Sequence, residues 1–211
     1  MKASLHPTKH CKICFREIKD NSFHNLLFKN NDICEDCFNK FQPKFIHFKH
    51  GKINCLSIYN YDLTIKELLY KYKGCYDIEL KSVFLSRYLW YLRLKYYGFK
   101  VITLPSYYLD DERRGFNHVK EIAKLLKLPL LDILEKTKDH KQADQNFEGR
   151  KKIGKVLKLS HLELIKNQKI LIMDDVHTTG SSIDAAINLI KEGKPKKIEV
   201  LVVAKNELKK D

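Results

Sequence analysis

Two adjacent carboxylates, Asp174 and Asp175, stand at the end of an apolar run, Ile170-Leu171-Ile172-Met173. Thr178-Thr179-Gly180-Ser181-Ser182 follows, and an apolar helical pattern starts at Ile183. This order predicts a buried strand, an acidic pair at its carboxyl end, and a hydroxyl- and amide-rich turn into a helix. A helix N-terminus offers unpaired N–H groups and partial positive charge, which suits a phosphate. Gly180 lets the backbone approach such an anion closely, and the hydroxyls of Thr178, Thr179, Ser181 and Ser182 can donate to it. Two carboxylates would repel a phosphate but suit vicinal ribose hydroxyls, with Mg²⁺ nearby. Segment 169–183 could therefore hold a sugar 5-phosphate by both ends. An ordinary strand–turn–helix with a Thr or Ser cap accounts for the hydroxyls, but not for paired Asp where α/β proteins place their sites.

A second constellation lies near the start of the chain. Cys11-x2-Cys14 and Cys34-x2-Cys37 are separated by 19 residues, the spacing of a four-cysteine zinc site made of two knuckles. A module of roughly 40 residues buries little core, so the metal would stabilise it. Disulfides are the alternative, disfavoured in a reducing compartment. His10, His47 and His50 are substitutes should one cysteine not be a ligand, while Cys55 and Cys75 read as small buried apolar residues. Phe15, Phe38 and Phe41 lie near the knuckles and are expected to fill a miniature core rather than stack on bases.

The elements that must position these groups can be read in outline. Segment 41–52, with Pro43 and Gly51, reads as a linker. A strand is expected over 54–61, then a helix capped by Thr64 with Ile65, Leu68, Leu69 and Tyr72 inward, ending near Lys73-Gly74. A longer helix is expected over 78–97, stopped by Gly98. Its Tyr, Lys and Arg mixture resembles a nucleic-acid surface, but helical spacing sends most rings to the core. A short strand over 100–104 ends at Pro105-Ser106, a helix carries Val119, Ile122, Ala123, Leu125 and Leu126, and 130–134 reads as a strand. Segment 135–158 is polar and weakly periodic, which reads as a long mobile loop of the kind that serves as a lid. Strands at 170–173 and 198–203 bracket a helix over 183–191. Strands alternating with helices imply an α/β fold, a mostly parallel sheet flanked by helices, with ligand at the strand C-termini.

At 211 residues, with 44% hydrophobic and 31% charged residues, the chain can build one α/β domain and a small appendage. No apolar stretch approaches the roughly 18–20 residues of a transmembrane span, and the first ten residues lack a signal-peptide core, so a cytoplasmic location is expected. The net charge of +14 is spread along the chain, with local surpluses around 66–100, 141–158 and 191–210. Such a surface favours single-stranded nucleic acid or an anionic membrane face, although Lys-rich surfaces also arise from genome composition.

The pattern D-D-V-x-T-T-G-x-S after four apolar residues closely resembles the phosphoribosyl-pyrophosphate (PRPP) motif of type I phosphoribosyltransferases. By that resemblance Asp174 and Asp175 hold the ribose hydroxyls, Thr178 to Ser182 cradle the 5-phosphate, and Mg²⁺ accompanies PRPP. R-R-G-F-N-H at 113–118 resembles the R-x-R-G-F-N-Q-type signature of the ComF competence proteins, and Gln142 and Arg150 match that family's Q-x(7)-R segment. A four-cysteine ribbon before a phosphoribosyltransferase-like domain completes the ComF arrangement, with 1–52 as zinc ribbon and linker and 53–211 as the second domain. The chain departs from the pattern at His118, where Gln is usual, at Leu104-Pro105 and at Ile153. Arg113 and Arg114, beside Gly115, and Ser106 are candidates to meet a pyrophosphate or a DNA backbone, against the plainer reading of a solvated basic turn.

The resemblance implies a role in natural transformation: binding single-stranded DNA and PRPP during uptake across the inner membrane. It also implies a DNA helicase and a recombination mediator as partners and a peripheral contact with the inner-membrane face. The alternative is an active Mg-dependent phosphoribosyltransferase of nucleotide salvage or biosynthesis. Purine-type enzymes resemble this motif with a carboxylate where this chain has Thr178, a poor general base, whereas orotate-type motifs do have Thr there. No segment that would read a nucleobase is recognisable. A third reading is a PRPP-sensing regulator whose zinc ribbon recruits partners.

Overall fold

A computed structural model of the chain describes residues 9–18, 32–136 and 157–206. The central sheet has five strands in the order β1-β2-β7-β6-β3. They are β1 (Ile46–His50), β2 (Ile53–Asn60), β3 (Phe99–Thr103), β6 (Lys169–His177) and β7 (Lys197–Lys205). β2, β7, β6 and β3 run parallel, and β1 turns back on β2 as an antiparallel edge. The mostly parallel α/β architecture expected from the sequence is therefore present. The stretch 41–52, expected as a linker, carries that edge strand, with a turn at Gly51 in the left-handed region.

The helices are α1 (Glu35–Phe41), α2 (Leu63–Lys73), α3 (Leu89–Lys95), α4 (Tyr108–Arg114), α5 (His118–Lys124) and α6 (Ser181–Glu192). Leu56, Ile58, Leu171, Met173, Leu201 and Val203 face one core with α2, α3 and α5. Ile170, Ile172, Val200 and Val202 face the other, where α6 packs Ile183, Ala186, Ile187 and Ile190. Alternate residues of β6 and β7 thus serve both layers, which is why those strands read as unbroken apolar runs.

Several local expectations are corrected. α2 is capped by Asp62, whose carboxylate accepts from Ile65 N at 2.9 Å, not by Thr64. Segment 78–97 is not one helix. Two 3₁₀ stretches, Ile78–Phe84 and Ser86–Tyr88, precede α3. Val83, Phe84, Leu85 and Ser86 are all buried in succession, which no single face of an α-helix can provide. The strand expected at 130–134 reduces to one bridge, Val101↔Leu130. A two-stranded ribbon, β4 (Leu134–Lys136) with β5 (Leu157–Leu159), brackets the segment expected as a lid. The rest of that segment, with Gln142 and Arg150, lies outside the described residues.

Candidate functional site

Asp174 and Asp175 lie near the carboxyl end of β6, the strand between β7 and β3. Asp175 is buried, and its Oδ2 accepts from Lys73 Nζ at 2.6 Å and faces His118 Nε2 at 3.3 Å. Burial alone would raise the Asp175 pKa, but His118 and Lys73 outweigh it and hold the carboxyl below its ordinary range. Asp174 is only partly covered. Burial first, and the charge of Asp175 second, push it well above the ordinary value. The two carboxyls therefore differ: one is a fixed carboxylate, the other retains its proton more readily. Adjacent carboxyl groups can accept from the vicinal hydroxyls of a ribose.

The hydrogen-bond inventory fixes how His118 is held. Arg114 Nη1 lies 3.1 Å from His118 Nδ1, and a guanidinium can only donate. Nδ1 is therefore the acceptor, and Nε2 carries the proton aimed at Asp175. Arg114 also donates to the Lys73 carbonyl at 2.9 Å and to Asp111 Oδ1 at 2.9 Å. Its side chain is only 9% exposed, so this proposed phosphate contact is turned inward, where it ties α2, α4 and α5 to the acidic pair. Arg113 stays exposed. Ser106 donates to Asp111 at 2.5 Å and accepts from Asn117 at 3.0 Å, placing the loop after β3 against the same cluster.

R-R-G-F-N-H folds as two caps. Gly115, at φ +77°, ends α4, and Asn117 caps α5 by accepting from Lys120 N at 2.8 Å. Phe116 between them packs on Tyr72. In the sequence Lys73 reads only as a helix end and His118 as a departure from a signature. Neither had a local signal of pairing with Asp175, 102 and 57 positions away.

The turn after β6 enters α6 through Gly180, at φ +79°, and no side chain caps the helix. Thr178, Thr179 and Ser182 are exposed, Ser181 is half-buried, and Thr179 Oγ1 and Ser181 Oγ share a hydrogen bond at 3.0 Å. Uncapped N–H groups and exposed hydroxyls at the start of a twelve-residue helix are what an anion needs.

The four cysteines converge. The Sγ atoms of Cys11, Cys14, Cys34 and Cys37 all lie within 4.8 Å of one another. Cys14 and Cys34 are 3.6 Å apart, far beyond the roughly 2.05 Å of a disulfide and near the about 3.8 Å edge of a tetrahedral zinc–thiolate site. The set can bind a metal, and none of the candidate histidines belongs to it. Only the first pair sits on a tight turn, closed by Cys11 N to Arg16 O at 2.9 Å and Phe15 N to Cys11 O at 2.8 Å. The second pair is the cap and first turn of α1. The Arg16 backbone N–H is the main cause that draws the Cys14 thiol down to about 6. Phe41 is buried as expected, whereas Phe15 is 74% exposed. Cys55 is buried, but Cys75 is exposed and so is not the core residue expected.

A family model described as "Phosphoribosyl transferase domain" matches residues 112–211. The chain is 27% identical to Competence protein ComFC of Streptococcus pneumoniae (strain ATCC BAA-255 / R6), over 90% of this chain and 96% of that protein. The alignment, the domain match and the four-cysteine cluster all fit a ComF-family protein. Among solved structures, the chain is loosely similar to a hypoxanthine phosphoribosyltransferase from Staphylococcus aureus, at 15% identity and a TM-score of 0.36, over 58% of this chain and 61% of that one. A hypoxanthine-guanine phosphoribosyltransferase from Bacillus anthracis str. 'Ames Ancestor' gives 14% and 0.33, over 54% and 64%. The chain thus spans about three fifths of the length of these two structures.

Proposed function

We propose that the protein is a competence protein for natural transformation, binding single-stranded DNA and PRPP during DNA uptake across the inner membrane. The alignment with the pneumococcal competence protein carries this reading, because it runs along nearly all of both chains and is not confined to the phosphoribosyl transferase domain. PRPP binding is supported by the acidic pair and the uncapped turn at opposite ends of one short segment. Asp174 and Asp175 offer the hard oxygen ligands that a Mg²⁺ ion accompanying PRPP would take, and its charge would offset the pyrophosphate. DNA binding is supported by the +14 net charge and by Trp90 and Tyr97, 54% and 81% exposed near Lys95. In this reading the metal at the cysteines is a structural zinc. The protein works in the cytoplasm or at the inner-membrane face beside a helicase and a recombination mediator. Among the described residues no helix is long and apolar enough to cross a membrane. Loss of transformation in a deletion strain, restored by the intact gene, is the expected result; normal uptake without the protein overturns the reading.

The acidic pair and the domain match also favour a second reading, an active Mg-dependent phosphoribosyltransferase. Thr178 at the position of a general base argues against it. Incubation with PRPP, Mg²⁺ and each common base separates the two, since turnover with any base establishes the enzyme.

A further inference from the structure

His50 ends β1, well outside the residues matched by the phosphoribosyl transferase model, yet its imidazole lies against the phosphate turn. A Cβ at Gly180 would come within 2.4 Å of His50 Cε1, 2.9 Å of His50 Nδ1 and 3.0 Å of His177 Nε2. The ring therefore fills the space that a side chain at position 180 would need, and with φ +79° this leaves glycine as the fitting residue. On its other side His50 Nε2 sits 2.6 Å from Asp184 Oδ1. Asp184 belongs to the first turn of α6, and its own N–H bonds Gly180 O at 2.8 Å.

An ionised Asp184 can only accept, so His50 Nε2 carries a proton. With His50 neutral, its Nδ1 accepts from His177 Nε2 at 3.4 Å, which leaves His177 Nδ1 as a bare lone pair. That atom is indeed buried without a partner. Phe48 from the same strand packs edge-on against His177 at 4.9 Å, and Lys205 Nζ caps the Phe48 ring at 4.9 Å. The groups around the imidazole are thus Asp184 from α6, His177 from β6, and, beyond Phe48, Lys205 from β7.

A carboxylate in the first turn of α6 would oppose a phosphate arriving at that helix start. We propose that His50 is a positioning residue of the phosphate turn, one that braces Gly180 by contact, holds the first turn of α6 through Asp184, and masks that carboxylate from a sugar phosphate. This deepens, and rests on, the reading of 178–182 as a sugar-phosphate cradle. It also makes the site a joint product of the N-terminal hairpin and the phosphoribosyl transferase domain.

The test is calorimetric titration of the full-length protein with ribose 5-phosphate. His50→Leu fills the same space without either nitrogen and should weaken binding about tenfold. His50→Gln, whose amide can reach Asp184, should recover most of that loss. Asp184→Asn should restore part of it in the His50→Leu background, and metal content should not change in any variant. Unchanged affinity in His50→Leu overturns the proposal alone, as does a loss that neither partner change restores. No binding by the wild-type protein overturns the sugar-phosphate reading and this proposal with it.

Discussion

At Asp175 the hydrogen bond from His118 and the charge of Lys73 outweigh burial, whereas Asp174 meets burial and the charge of its neighbour with less compensation. The two make opposite contributions to stability. Asp175, depressed in the fold, stabilises it above the ordinary Asp value of about 3.9, and that stability is lost as pH falls through its lower folded value. Asp174, raised in the fold, favours the folded state at low pH, and that contribution is lost as pH rises through its higher folded value. Asp174→Asn should therefore raise the melting temperature at pH 7.5 by about 2–4 °C, the shift expected for roughly 1 kcal/mol in a chain of this size, while weakening ribose 5-phosphate binding. A gain that stays constant from pH 7.5 down to pH 4 would contradict the assignment. Lys73→Met should cost about 1–2 kcal/mol in urea denaturation, the low end for a charged hydrogen bond because the ammonium still meets water. It should also move acid unfolding to higher pH, since Asp175 would lose a partner that keeps it ionised.

The unit α4–Gly115–Asn117–α5 does more at the level of elements than a loop would. Asn117 caps α5 and, through Nδ2, donates to both Ser106 and Asp111 Oδ2, the latter at 2.8 Å. Asn117→Ala should destabilise by about 1–2 kcal/mol in thermal or urea unfolding. Asn117→Asp should keep the cap acceptor yet set a second charge against Asp111, so it should not fully rescue. This unit also shows what could be read in advance. The strand, acidic pair and turn of 169–183 were legible because their parts are contiguous, and R-R-G-F-N-H was legible as a special turn. Its role was not: whether Arg114 faces solvent or Lys73 depends on α2, some 40 positions earlier. The same limit hid Lys73 and His118 as partners of Asp175, and it left His50 as a spare metal ligand when its contacts are 127 and 134 positions away. The long helix over 78–97 failed for another reason. Leu- and Tyr-rich composition suggested helix, but four consecutive buried side chains forced the tighter 3₁₀ path.

The cysteine module and the sheet form one body in the described residues. Cys11, Cys37 and Phe41 share a core with Leu56, Ile58 and Tyr59, and Phe41 meets the Tyr59 ring at 6.4 Å. Arg87 lies 3.8 Å over the Phe38 ring and pairs with Glu35 at 2.8 Å, while Lys12 bonds Ser82 at 3.1 Å. A strong chelator should therefore lower the melting temperature of the whole protein in a single calorimetric transition. Two resolved transitions, with the later one unmoved, would show that the module unfolds alone. Cys37→Ser should act like the chelator and reduce metal content in atomic absorption. The sheet order has a further consequence, for the time course of synthesis. Asn54 of β2 pairs with Glu199 of β7, and β7 also flanks β6. On the ribosome, β2 and α2 must wait with an open apolar face until a strand more than a hundred residues later has been made, whereas Cys11 to Cys37 can close early around a metal. Metal-starved cells should then lose this protein to proteolysis while it is still being translated, before any finished molecule could be inactivated.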